Sequence, residues 1–233
     1  MEIREGFIVG VFNYCDRWCE TCALTSYCRV FAIDRAGAEQ AVTMEAGLNA
    51  TPTVFDSLGA PMKWLEDVFD EMPGLGGGMT EGEIEACDRR MPAAHEEIYE
   101  RAKAYCRWAH DGAGRLECGG RNDAADPVAV LLWFATFNVS KIRYALTRLA
   151  EFDGDRAFPP DHEGSAKVAL LGLARSYAAW QELVAEGRVS AAQAKPCLEE
   201  LAWIRAQLEA AIPEAWNFVR PGFDEPGAVA ALV

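Results

Sequence analysis

The sequence predicts a mainly α protein, a bundle of four to five helices behind a cysteine-rich N-terminal segment. Three observations carry this. After residue 60, apolar residues recur through most of the chain at the spacing of a helix with one buried face. Prolines and capping residues punctuate those runs where helices should start and stop. Four of the eight cysteines crowd into residues 13–31, NYCDRWCETCALTSYCRVF.

Taken in order, residues 7–12 (FIVGVF) are the only run that reads as a strand, and residues 29–50 read as a first helix. In residues 61–72, Trp64, Leu65, Val68 and Met72 share one stripe, and the Pro-Gly of MPGLGGGMT ends that helix. That glycine-rich stretch lacks the Gly-Lys-Ser/Thr ending of a phosphate loop and reads as a connection. Thr80 and Glu83 form a capping-box pattern ahead of Ile84, Cys87 and Met91. Pro92 breaks or kinks the run, and Ile98, Ala102, Tyr105 and Ala109 continue it.

Asp126-Pro127 is a strong helix start, a capping acid followed by a proline whose missing N–H costs nothing at the first helical position. The first half of the helix behind it is apolar on all sides, so it is expected to be the central, most buried one. A helix over 164–186 places Ala166, Leu170, Leu173, Tyr177, Trp180 and Val184 on one stripe, with Gly187 where a C-cap belongs. A last helix over 190–212 is capped by Ser190 and carries Leu198, Leu201, Leu208 and Ile212. Short links between these helices imply antiparallel neighbours. The chain thus divides into a cysteine segment (1–33), a helical bundle (34–212) and an extended tail (213–233) rich in proline.

Composition bounds the function. At 233 residues, 51% hydrophobic and 25% charged, the chain can bury a full core. Glu2, Arg4 and Glu5 precede only a short apolar run with no cleavage pattern, so no secretory signal is expected. The longest apolar run, 128–139, is shorter than the roughly 18 residues of a membrane span. A cytoplasmic location follows, where thiols stay reduced and clustered cysteines read as metal ligands. A net charge of -14 opposes binding of nucleic acid and leaves a protein partner as the better expectation.

Cys15, Cys19, Cys22 and Cys28 spell CxxxCxxCxxxxxC. If the chain is helical from Cys15 to Cys19, those two side chains lie one turn apart on one face. Four soft thiolates this close suit tetrahedral zinc or an iron-sulfur cluster. Structural zinc usually joins two knuckles remote in sequence, whereas this set would staple only itself. Tyr14, Trp18, Leu24, Tyr27, Val30 and Phe31 interleave with the cysteines, as an apolar shell around a cluster would. The expected centre is therefore [4Fe-4S], serving electron transfer or redox sensing, with structural zinc in an interaction module as the alternative. Arg17 and Arg29 are candidates to offset its negative charge.

The sub-pattern CETCALTSYC resembles the three closely spaced ligands of [4Fe-4S] clusters in iron-sulfur nucleases of the RecB-like family, and part of the auxiliary-cluster region of SPASM-type radical SAM enzymes. The resemblance covers about ten residues and implies cluster ligation by Cys19, Cys22 and Cys28. The fourth cysteine here is local and the nuclease's acidic-x-Lys signature is missing, so no nuclease activity is implied. CDRWCETC also has the CxxxCxxC spacing of radical SAM enzymes. Thr21 stands where an aromatic residue is usual in them, and the helical remainder does not suit their α/β barrel.

Other chemistry is thin. Cys106, His110 and Cys118 could converge on a second metal or redox site, although helix packing accounts for Cys106 and solvent for His110. Cys87 and Cys197 read as core. His95 and His162 belong to no Glu-x-x-His pair, so di-iron ligands are missing, and no Gly-x-Ser-x-Gly elbow occurs. The acid pairs Asp153 with Asp155 and Asp161 with Glu163 read as solvated loop ends. No catalytic residue is nominated.

Overall fold

The computed structural model describes residues 2–36, 92–113, 115–116, 125–151 and 161–225. Within them the protein is mainly helical. Helix α1 covers residues 29–36 of the described chain. It is followed by α2 (Ala93–Ala113), α3 (Pro127–Glu151), α4 (Asp161–Ala185) and α5 (Ala191–Ala211). The stripe of residues 61–72, the capping box at Thr80, Cys87, Cys118 and the pair Asp153 with Asp155 lie outside the described residues.

The helix ends follow from local chemistry. Helix α2 begins directly after Pro92, whose carbonyl accepts the amide of His95 at 2.8 Å. The carboxylate of Asp126 accepts the amide of Val128 at 2.9 Å and so caps α3 ahead of Pro127. Gly187 stands at φ +71, and the amides of Arg188 and Gly187 return to the carbonyls of Leu183 and Val184. This is a Schellman closure, and glycine occupies the left-handed position that it needs. At α5 the Ser190 hydroxyl accepts from the Gln193 amide while the Gln193 side chain accepts from the Ser190 amide, a full capping box.

In α2 the buried residues Ile98, Ala102, Tyr105, Ala109 and Ala113 form the expected stripe, whereas in α5 the buried stripe is Ala194, Cys197, Leu201, Ile204 and Leu208, which keeps Leu201 and Leu208 of the expected set and leaves Leu198 half-buried. These stripes and the faces of α3 and α4 close one core. The helix buried on most sides is α4 rather than α3. Its Gly164, Ala166, Ala169, Gly172 and Ala179 are small enough to admit neighbours on several faces. A methyl at Gly172 would overlap the Asn138 side chain of α3, which fixes how closely the two helices pack. By contrast α3 leaves Leu132, Trp133, Thr136, Phe137 and Ser140 along one open cleft.

The N-terminal segment is not helical between Cys15 and Cys19. It opens with an antiparallel hairpin, Ile3–Arg4 against Phe7–Ile8, turned by Glu5 and Gly6 at positive φ. The strand expected over 7–12 stops at Ile8, because Gly10 adopts φ +76 and sends the chain into short 3-10 turns at Val11–Asn13, Cys19–Thr21 and Thr25–Tyr27. At the other end, Pro213–Asn217 forms a 3-10 turn with Ala215 fully buried, and residues 218–225 return toward the N-terminal segment. No described helix is long and apolar enough to cross a membrane.

Candidate metal centre

The N-terminal segment is pinned to the bundle on both sides of Cys15. Tyr14 donates to the Asp161 carboxylate at 2.6 Å, and its ring packs on Phe218 with centroids 4.6 Å apart. Burial pushes the Tyr14 phenol far above its ordinary pKa and the bond to Asp161 adds to this, so it stays a neutral donor. Asp161, which the sequence placed at a solvated loop end, is thus an anchor at the head of α4. The indole of Trp133 donates to the Asp16 carbonyl at 3.0 Å, Arg175 meets the Asp16 carboxylate at 2.5 Å, and Lys141 donates to the Asn13 carbonyl at 2.8 Å.

These anchors bring Cys15, Cys19, Cys22 and Cys28 to the wall of one small cavity of about 20 Å³, shared with Trp18, Leu24, Phe31 and Phe223. Cys15 is buried and the other three are half-buried, all as free thiols. Burial pushes the Cys19 thiol up to about 11, and Cys15, Cys22 and Cys28 add to the rise. Burial also raises Cys15 and Cys22. The opposing influence is local: the backbone at Arg17 acts to lower the Cys15 thiol, and the amide of Leu24 bonds the Cys22 sulfur at 3.4 Å. In the thiol form Cys15 also donates to the Phe12 carbonyl at 3.4 Å.

The Cys22 sulfur therefore already accepts the backbone N–H two residues on, a contact that stabilises thiolate rather than thiol. Arg17, between Cys15 and Cys19, stands at φ +59, a left-handed backbone uncommon for a side chain without Asn or Asp character. All four donors are soft, and a cation is what would offset their mutual repulsion on deprotonation. Among the described residues no three of His, Cys, Asp and Glu converge closely enough to hold a single metal ion. Tetrahedral zinc would require sulfurs about 3.8 Å apart, from Zn–S bonds of about 2.3 Å.

The apolar shell is only partly the one read from sequence. Tyr14, Trp18 and Leu24 are buried, and Tyr27 packs against Ile8, Val11 and Leu24. Three further members come from remote elements: Trp133, stacked on Trp18 at 5.3 Å and 19°; Phe134, edge-on to Trp18 at 6.0 Å; and Phe223. Gly222, at φ +77, passes so close that a side chain there would crowd Ile8 and Leu24. Lys167 binds the Phe218 carbonyl at 2.5 Å and Asp224 at 2.8 Å, and Arg220 pairs with Asp224, which fastens this C-terminal strap.

The cations around the centre also differ from expectation. Arg29 pairs with Glu5 at 3.7 Å on the surface. Arg17 and Lys141 are the cations whose charges act on Cys15. Burial lowers the pKa of Lys141, and Cys15 opposes that. No periodicity pointed to Lys141, since it lies 128 residues from the carbonyl it binds.

The second cluster is only partly assembled. His110 shares a 3.0 Å hydrogen bond with the Thr136 hydroxyl and Cys106 lies 3.9 Å from that hydroxyl, while Cys118 falls outside the described residues. Cys197 is buried in the core, where burial pushes its thiol up to about 11. No protein-family model, curated protein or solved structure matches this chain.

Proposed function

We propose that Cys15, Cys19, Cys22 and Cys28 hold a [4Fe-4S] cluster and that the protein transfers electrons to, or senses oxidation for, a protein partner. The observation that carries this reading is the meeting of all four cysteines at one cavity, with the Cys22 sulfur already accepting a backbone N–H bond. When bound it would supply one-electron chemistry. The chain's own part is to exclude water with Trp18, Leu24, Phe31 and Phe223, and to offset negative charge with Arg17 and Lys141.

A second reading, structural zinc in an interaction module, is favoured by the size of the cavity. A cubane would have to press back the Phe31 and Phe223 rings that line it. Purification without oxygen, followed by measurement of iron, sulfide and zinc, separates the two. Brown protein with a broad visible charge-transfer band that Cys19→Ser abolishes supports the cluster. Colourless protein with one zinc per chain ends the redox reading.

A further inference from the structure

We infer that Cys19 and Cys22 are a modification site for hydroperoxides, which oxidise the pair to a reversible disulfide across the 3-10 turn that joins them. The purpose of such a bond rests on the sensing reading above; its formation takes place in the metal-free chain and needs no cluster.

The backbone selects the pair. The Cys22 amide donates to the Cys19 carbonyl at 3.2 Å, and the Thr21 amide and hydroxyl both return to the Trp18 carbonyl at 3.3 Å, so the turn Cys19–Thr21 is closed at two successive positions. Side chains three residues apart in such a turn eclipse one another, with Cα atoms about 6 Å apart. Disulfides join Cα atoms about 4.4–6.8 Å apart. Both thiols are free, and both side chains line the same cavity of about 20 Å³, which has little more room than one water needs. Bringing the two sulfurs together therefore asks for rotation of side chains within a turn that is already closed.

The other two cysteines are placed differently. Cys15 is buried, and Cys28 ends the following turn, where its amide donates to the Thr25 carbonyl at 3.2 Å. Cys19 and Cys22 are half-buried beside the exposed residues Glu20, Thr21 and Ala23, so a small oxidant reaches them from solvent. The Leu24 amide, directed at the Cys22 sulfur at 3.4 Å, steadies negative charge there and marks Cys22 as the attacking atom.

In the step proposed, the Cys22 sulfur attacks the terminal oxygen of the hydroperoxide and the O–O bond breaks. The alcohol, or water from hydrogen peroxide, leaves with the proton that the thiol gave up, and Cys22 becomes a sulfenic acid. The Cys19 sulfur then attacks the Cys22 sulfur; the S–S bond forms, the S–O bond breaks, and the hydroxyl leaves as water with the Cys19 proton. The two thiols lose two electrons in all and the hydroperoxide gains them. A dithiol reverses the bond by exchange.

The test uses the full chain, reduced and stripped of metal by a chelator, with hydrogen peroxide as probe. Trypsin, cutting after Arg17 and Arg29, isolates residues 18–29. Tandem mass spectrometry should find that peptide short of two hydrogens, with the bond between Cys19 and Cys22 and the hydrogens restored by dithiothreitol, while Cys106 and Cys197 still alkylate. In Cys28→Ser the bond should form at the native rate to within about twofold. In Cys19→Ser it should be absent, with a dimedone adduct on Cys22 about tenfold or more above the native level; circular dichroism at 222 nm checks that the bundle is intact in both variants. No loss of thiols, or a bond from either cysteine to Cys15 or Cys28, overturns the inference. A dimedone adduct on Cys19 in Cys22→Ser, with none on Cys22 in Cys19→Ser, overturns the assignment of the attacking sulfur. Protein that carries neither iron nor zinc before chelation yet forms the bond removes the metal reading and leaves this one, and metal-bearing protein whose stripped form makes no bond does the reverse.

Discussion

Gly164 of α4 lies directly beneath the ring of Tyr14, so close that a methyl group there would overlap that ring and come within 2.8 Å of Phe218. This contact seats the residue before Cys15 on the bundle and presses the C-terminal strap against it. Gly164→Ala is therefore expected to cost about 1–3 kcal/mol, as overpacking does, and to loosen the N-terminal segment before the helices. Limited proteolysis should cut near residues 13–28 faster, with helical circular dichroism nearly unchanged. An unaltered cleavage rate would show that Tyr14 is held by Asp161 alone.

Lys141 supplies positive charge near Cys15 from the middle of α3. A thiolate-bound cluster gains negative charge on reduction, so a nearby cation favours the reduced form. Lys141→Gln keeps a donor for the Asn13 carbonyl and removes the charge. The reduction potential of the proposed cluster should then fall by about 60 mV, a tenfold shift in a one-electron equilibrium. Protein-film voltammetry of the two proteins measures it. A potential that does not move would place Lys141 in a purely structural role.

How much of this was legible follows the range of the interactions involved. Caps are local, so Asp126, Gly187 and Ser190 announced their helix ends correctly. The four cysteines were legible for the same reason. The partners that complete their surroundings were not, because Trp133, Lys141 and Phe223 arrive from more than 100 residues away and carry no spacing signal. Burial of α4 was underrated because its small residues register as weakly hydrophobic, although smallness is what lets neighbours approach. The hairpin was half legible: Phe7 and Ile8 have strand character, while the turn at Gly10 depends on backbone that only the fold reveals.

The capping box at α5 gives a prediction independent of the metal. Ser190 and Gln193 satisfy each other's backbone amides at the junction between α4 and α5. Ser190→Ala should destabilise the protein by about 1 kcal/mol, with Ser190→Asp restoring most of the loss through its own side-chain acceptor. Urea denaturation followed at 222 nm tests both. Equal stabilities would mean that the Schellman closure at Gly187 fixes this corner unaided.

Acid should release the C-terminal strap before the bundle melts. Burial alone would raise the pKa of Asp224, but hydrogen bonds from Arg220 and Lys167 outweigh it and hold the carboxyl well below the usual carboxylate range. A carboxylate depressed in the folded state contributes stability that is complete above its unfolded pKa and is lost as pH falls through the folded one. The strap should therefore be fully fastened above about pH 5 and loosen progressively below about pH 4, where the unfolded carboxyl takes up a proton. Asp224→Asn should mimic the acid form at neutral pH, with a loss of about 2 kcal/mol from charge-assisted bonds. Because Phe223 lines the cysteine cavity, the released strap should open the centre to solvent, so thiol labelling of Cys19, Cys22 and Cys28 in the metal-free variant should quicken at pH 7. Labelling at the native rate would mean that the strap is held by Phe218 and Ala215, and that the ion pairs of Asp224 are dispensable.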